Sequence, residues 1–155
     1  MKQIEDFISK SNYYRNFLER MWIETFYQEK TSRMISQYMC RYSCLFLQSI
    51  LLKNYKILSI VVTGQPTESL NGTRFGLVGF KDCYGNWHDH SWLVVSNIII
   101  DLTADQFGES KIIVTNINDE RYKPSNNQDQ FKNTYEKLEK VSHRWLEKYY
   151  LENSI

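Results

Sequence analysis

Glycine and proline are scarce in this sequence, with six and two residues respectively among 155. There is also no internal repeat. The only stretch whose composition favours disorder is 121–130, RYKPSNNQDQ, which is predicted to be a loop. With 42% hydrophobic and 15% aromatic residues, the chain is long enough for one hydrophobic core and too short for two. A single domain over residues 1–155 is therefore expected.

Neither sign of charge is in excess, because 19 Lys and Arg residues face 18 Asp and Glu residues, for a formal net charge of +1. Nucleic-acid-binding domains usually carry a basic surface, so no nucleic-acid partner is predicted. No apolar run approaches the roughly 20 residues of a membrane-spanning helix. The first residues, MKQIEDFISK, are acidic where a signal peptide would be apolar. We expect a cytoplasmic protein without a membrane partner; export without a cleaved signal, as for an injected bacterial effector, stays open.

Cysteine is scarce too, with three residues in the chain. Cys40 and Cys44 lie one turn apart on a predicted helix, and an odd count of cysteines is unlike a disulfide framework. A reducing compartment fits this pattern.

The most informative stretch is 88–107, HDHSWLVVSNIIIDLTADQF. Residues 91–95 and 98–102 are short β-prone runs separated by Ser96-Asn97, a pattern typical of two antiparallel strands joined by a tight turn. With those two residues as the loop, Trp92 faces Asp101, and His90 lies one diagonal step from Asp101 on the same face. Asp89 would point to the opposite face.

A carboxylate beside an imidazole orients the ring and stabilises the imidazolium, which leaves the other ring nitrogen free to move protons. The third member that makes such a pair useful is a cysteine at a helix N-terminus, where the helix dipole favours the thiolate. Cys40 stands in that position, because an apolar repeat typical of a helix follows it at Cys44, Leu47 and Leu51.

Cys40 opens a predicted helix, His90-Ser91-Trp92 lie on one predicted strand, and Asp101-Leu102-Thr103 lie on the next. This arrangement resembles the transglutaminase-like branch of the papain-like cysteine hydrolases. The resemblance covers residues 40–107. It implies a catalytic triad of Cys40, His90 and Asp101, no cofactor, and a protein or peptide substrate. Peptidase or amidase activity ranks first, and glutamine deamidation or acyl transfer by the same triad second. A non-catalytic interaction module on the same fold is the alternative from another class.

Other assignments for individual residues remain open from sequence alone. Gln37 is a candidate for the oxyanion hole, although backbone N–H groups often serve that purpose. Cys44 is the rival nucleophile, and Asp105 and Gln106 are the substitutes for Asp101. A competing metal site would use Cys83, His88 and His90, with Asp101 nearby, although the spacing has no strong zinc precedent and leaves Cys40 unexplained.

The remaining pattern predicts an α+β fold of the papain/transglutaminase-like type, in which the helix of Cys40 packs on an antiparallel sheet of about five strands. Helices are expected over 4–27, with a break near Ser11, over 31–38 as a short segment, from Cys40 to about Tyr55, and over 129–151. Strands are expected at 57–63, 74–81, 91–95, 98–102 and 111–115.

Overall fold

The computed structural model describes residues 2–30, 35–36, 38–64, 67–68, 74–75, 79–81 and 87–154. Within these ranges the chain is an α+β protein, as predicted. Its helices are α1 Lys2–Ser9, α2 Ser11–Lys30, α3 Cys40–Tyr55 and α4 Lys132–Asn153. The predicted break near Ser11 is confirmed, because Lys10 separates α1 from α2. Of the short segment predicted over 31–38, the described residues form a turn, and residues 31–34 and 37 lie outside the described ranges.

The strands are β1 Ile60–Gly64, β2 Thr67–Glu68, β3 Arg74–Phe75, β4 Gly79–Lys81, β5 Trp87–Val95, β6 Ile98–Asp101 and β7 Ile113–Asn116. The main sheet is antiparallel, with the order β1-β5-β6-β7, and β4 pairs with the first residues of β5. Five strands thus take part, as expected. The short strands β2 and β3 pair separately.

The predicted hairpin is confirmed in both its turn and its register. Val95 pairs with Ile98 across the Ser96-Asn97 turn, and Leu93 pairs with Ile100. Ser96 has φ of 52°, which is the left-handed conformation that tight two-residue hairpin turns require. Because successive side chains of a strand point to opposite faces, this register places residues 90, 92 and 101 on the same face of the sheet.

The two faces of the sheet have separate cores. On one face, Leu93, Val95 and Ile100 join the helices in the larger cluster, to which α3 contributes most of its buried side chains. On the other face, Trp92, Ile99 and Ile113 pack with Ala104 and Tyr122. Helix α3 packs against both the sheet, at β1 and β5, and α4.

Helix α2 is joined to the segment after β6 by Arg15, whose side chain is 2% exposed. Its guanidinium donates to both carboxylate oxygens of Asp105, at 2.9 and 2.8 Å, and to the Leu102 carbonyl oxygen at 2.6 Å. Glu19 accepts from Nε at 2.8 Å, and the guanidinium lies 4.8 Å from the Trp22 ring centre. These contacts fix the backbone directly after Asp101.

Arg15→Met should lower the free energy of unfolding by about 3–5 kcal/mol, because it removes a buried cation and leaves the mostly buried Asp105 carboxylate without a partner. Arg20→Met is the matched control on the same helix. Arg20 bonds Glu152 in the same bidentate manner, but its side chain is 53% exposed, so the loss should be within about 1 kcal/mol. Urea unfolding of both variants measures this. Equal losses would show that the Arg15 network contributes no more than a surface pair.

Candidate active site

The hairpin brings His90 and Asp101 into direct contact, as the sequence register predicts. Nε2 of His90 lies 2.7 Å from Oδ2 of Asp101, and the two side chains are 0% and 1% exposed. The His90 ring also meets the Phe107 ring edge-on, with 4.7 Å between ring centres. An imidazole and a carboxylate are therefore paired away from water.

Asp101 accepts hydrogen bonds at both carboxylate oxygens. Oδ1 accepts from the Thr103 N–H at 2.9 Å and from the Thr103 hydroxyl at 3.3 Å. Oδ2 accepts from the Tyr122 hydroxyl at 2.9 Å as well as from His90. Asp101 thus caps the turn at Thr103 and orients the imidazole at the same time. Its donors replace the water that burial removes.

The pKa values of the pair move in opposite directions. Burial opposes the charged form of His90, but the charge and hydrogen bond of Asp101, together with the nearby Cys40, raise the pKa of His90 to about 10. Burial also opposes ionisation of Asp101. The positive charge and hydrogen bond of His90 lower the pKa of Asp101 nonetheless, and the donors on its oxygens add to that effect. The favoured state is a buried imidazolium–carboxylate pair.

Cys40 is the first residue of α3, as predicted, and it is 7% exposed. It lies close enough to His90 for its hydrogen bonding and charge to act on the imidazole. With Nε2 of His90 held by Asp101, the nitrogen left for proton exchange with the thiol is Nδ1. Nδ1 is buried and has no hydrogen-bond partner with ordinary geometry among the described residues. Cys40, His90 and Asp101 are thus close enough for each to act on the next in that order.

Cys44, the rival nucleophile, is part of the hydrophobic core one turn further along α3. Burial raises the pKa of the Cys44 thiol well above its ordinary value, and the nearby Cys40 and Asp101 act in the same direction. A thiol that resists ionisation is a poor nucleophile.

Residues that flank the cysteine and the histidine form an ion pair with each other. Arg41, directly after Cys40, donates to Asp89, directly before His90, with Nη2 and Oδ2 2.5 Å apart. Both side chains are mostly buried, and the Arg41 guanidinium lies 5.6 Å from the Phe131 ring centre. This pair joins the start of α3 to β5.

A cavity of about 420 Å³ opens beside Cys40. One part of its wall is apolar or aromatic, and the rest is polar; the lining is Phe26, Tyr38, Met39, Cys40, Arg41, Tyr42, Asp89, Gln106, Thr134 and Leu138. A volume of this size accommodates a small ligand or a side chain of a larger substrate. Cys40 is therefore part of the wall of a cleft.

The two substitutes for Asp101 have other partners. Asp105 pairs with Arg15, as described above. The Gln106 side chain accepts from the Tyr38 N–H at 3.3 Å and donates to the Thr103 carbonyl oxygen at 3.0 Å. Gln106 thus bridges the segment before Cys40 to the segment after Asp101. Tyr38 has φ of 66°, a conformation that costs a non-glycine residue roughly 1 kcal/mol or more.

Some sequence-predicted residues fall outside the described ranges. Gln37 and Cys83 are among them, and nothing is described of the His88 side chain. Among the described side chains no group of three or more metal ligands occurs. No described helix has the length and apolar character needed to cross a membrane.

Sequence reasoning missed Tyr122, the Arg41–Asp89 pair and the bridging role of Gln106. Tyr122 gives no local signal, because it lies in a loop 21 residues from the carboxylate that it contacts. For the Arg41–Asp89 pair, opposite charges directly beside a candidate nucleophile and base were a usable but weak signal.

The buried pair predicts a stability that depends on pH. Because the pKa of His90 is raised from 6.5 to about 10, its contribution is complete below pH 6.5 and is lost as the pH rises towards 10. Because the pKa of Asp101 is lowered from 3.8, its contribution is complete above that value and is lost in stronger acid. Asp101→Asn should therefore cost about 3 kcal/mol of unfolding free energy near pH 5 and less near pH 9. Urea unfolding across this range measures it, and a cost that grows with pH would contradict the pairing.

No protein-family model matches this chain, and no curated protein matches it. Among solved structures, one titled "The crystal structure of genomics APC5867" aligns with 89% of this chain and 78% of its own, at 14% sequence identity and a TM-score of 0.49. Its title names no activity, and a likeness at this level supports no functional conclusion.

Proposed function

We propose that this protein is a cysteine hydrolase that attacks an amide or peptide carbonyl through Cys40, His90 and Asp101, on a papain/transglutaminase-like domain. The observation that carries the proposal is the buried His90–Asp101 pair, whose imidazole lies near enough to Cys40, at the start of α3, for the two groups to act on each other. Buried imidazolium–carboxylate pairs also occur as structural ion pairs, but a purely structural pair needs no neighbouring cysteine in the wall of a cleft.

In the acylation step, the Cys40 thiolate attacks the carbonyl carbon and forms a carbon–sulfur bond. The carbonyl electrons move onto oxygen and then return, which expels the amine as the carbon–nitrogen bond breaks. His90 donates its Nδ1 proton to the leaving nitrogen. Asp101, on Nε2, keeps the ring in the orientation and tautomer that this transfer requires.

In the deacylation step, neutral His90 removes a proton from water as the water oxygen attacks the acyl-enzyme. The carbon–sulfur bond then breaks, the acid is released, and the Cys40 thiolate reforms next to the imidazolium. An amine in place of water would give acyl transfer with the same residues.

The start of α3 provides a candidate site for the transient oxyanion. The first N–H groups of a helix have no intrahelical acceptor, and they lie at the positive end of the helix dipole. Since Cys40 itself opens α3, a carbonyl bonded to its sulfur would lie next to these groups.

The chemistry predicts opposite behaviour for the two cysteines of α3. With p-nitrophenyl acetate, the wild-type protein should release a burst of p-nitrophenolate equal to its own concentration, with one acetyl group on Cys40. Cys40→Ser should abolish the burst with little effect on stability, because a hydroxyl is not ionised by this pair. Cys44→Ser should keep the burst but lose about 1–3 kcal/mol of unfolding free energy, because it buries a hydroxyl without a partner.

Stopped-flow absorbance, intact-mass spectrometry and urea unfolding measure the three quantities. A burst that Cys40→Ser retains and Cys44→Ser loses in a folded protein would place the nucleophile one helical turn away. The absence of a burst and of any thiol adduct in the wild type would favour the non-catalytic module.

A further inference from the structure

Tyr122 is 4% exposed and donates its hydroxyl to Oδ2 of Asp101, the oxygen that also accepts from His90. Its ring packs edge-on against Trp92, with 5.1 Å between ring centres. Oδ2 of Asp101 therefore has two donors, the His90 imidazole and a buried phenol. The two donors share the negative charge of one oxygen.

The loop that carries Tyr122 is fastened to the end of β1. The Ser125 N–H donates to the Thr63 carbonyl oxygen at 3.1 Å. The Gln128 side-chain amide accepts from the Thr63 N–H at 2.9 Å and donates to its carbonyl oxygen at 2.7 Å. Three hydrogen bonds to Thr63 thus fix the path of the chain between β7 and α4.

Gly64 permits this close approach. A Cβ at Gly64 would lie 2.2 Å from the Lys123 carbonyl oxygen and 2.9 Å from Cη2 of Trp92, both far inside contact distance. Any other residue would push the loop away, and Tyr122 is the neighbour of Lys123. The position of Gly64 opposite His90 in the sheet register joins this contact to the site itself.

The two oxygens of Asp101 are held differently. Oδ1 is fixed by Thr103, two residues along the chain, so the carboxylate keeps its orientation without Tyr122. Oδ2 divides its negative charge between His90 and Tyr122. Removing one donor from a buried carboxylate increases its attraction for the other.

We propose that Tyr122 is a positioning residue of the active site. By donating to Oδ2 of Asp101, it weakens the attraction of that carboxylate for the His90 proton. This inference rests on the proposed hydrolase function. Deacylation requires neutral His90. If Oδ2 of Asp101 accepted from His90 alone, the imidazole would stay protonated to higher pH. Tyr122 thus permits the step in which His90 acts as a base.

The titratable groups that act on this pair come from two elements. Cys40 and Cys44 face it from α3, and Tyr122 faces it from the loop after β7. Arg121 and Asp119 act on Tyr122 from its own loop, where they pair with each other at 2.7 Å. Burial and the charge of Asp101 raise the pKa of Tyr122, so its hydroxyl stays protonated and remains a donor.

The test is the titration of the His90 imidazole by NMR in a Cys40→Ser background, which removes the thiolate and leaves the pair alone. Adding Tyr122→Phe should raise the His90 midpoint by roughly half to one pH unit, the size expected from the net contribution of one ordinary hydrogen bond. Replacing Tyr122 with 3-fluorotyrosine, a stronger donor of the same shape, should lower the midpoint. The chain has three histidines, so His90 is assigned by its loss in His90→Asn.

Tyr14→Phe is the matched control. Tyr14 is 1% exposed and bonds the Tyr55 hydroxyl at 3.1 Å, far from the site, so its loss should cost stability without moving the His90 midpoint. If Tyr122→Phe and the fluorinated residue both leave the midpoint unchanged, or shift it in the reverse directions, the proposal is overturned. If Tyr122→Phe does not fold, the fluorinated protein alone decides, since it loses no contact.

In the catalytic protein, Tyr122→Phe should shift the pH at which deacylation reaches half its maximal rate upward by the same amount. Gly64→Ala should reproduce that shift, because it displaces the loop. An unchanged deacylation profile in an active Tyr122→Phe enzyme would refute the inference and leave the hydrolase intact. A protein with no burst but with a shifted His90 midpoint would refute the hydrolase and leave the Tyr122 contact standing.

Discussion

The site depends on a single buried interaction, the bond between Nε2 of His90 and Oδ2 of Asp101. Two charges away from water are costly unless every remaining hydrogen-bonding atom is matched. Asp101 meets that condition, because Thr103 donates to one of its carboxylate oxygens and Tyr122 donates to the other. Among the described residues none bonds Nδ1 of His90 with ordinary geometry, and Nδ1 is the atom that the proposed chemistry uses. An unmatched polar atom at the centre of a matched network is typical of a site where function overrides stability.

Two further features hold the cysteine against this pair. The Arg41–Asp89 ion pair joins the residue after the thiol to the residue before the imidazole, so α3 and β5 meet at this point. Gln106 joins the strained turn at Tyr38 to the Thr103 turn. Arg15 then fixes the backbone after Asp101 from the opposite side. These contacts come from elements far apart in sequence, and together they limit the relative motion of nucleophile, base and carboxylate.

The sequence was sufficient for the parts of the site that local rules determine. The Ser96-Asn97 turn sets the register of β5 and β6, and the register places His90 beside Asp101. The apolar repeat after Cys40 predicts the start of α3. Local sequence patterns do not predict which distant residues a loop contacts. The path of the loop that carries Tyr122, for example, depends on the absence of a side chain at Gly64. The same holds for Arg41 and Asp89, 48 residues apart, whose pairing follows from how α3 packs on the sheet. The catalytic role of the three residues stays a prediction.

The most direct test is the rate at which iodoacetamide alkylates each cysteine of the folded protein, resolved by peptide mass spectrometry between pH 5 and 9. Cys40 should react faster than the cysteines of the denatured protein, because the proposed mechanism makes it the nucleophile that His90 assists. Cys44 should stay unmodified in its core position. His90→Asn should remove the rapid reaction of Cys40, and denaturation should make the cysteines react alike. A Cys40 that is unreactive in the folded protein, or equally reactive with and without His90, would contradict the account.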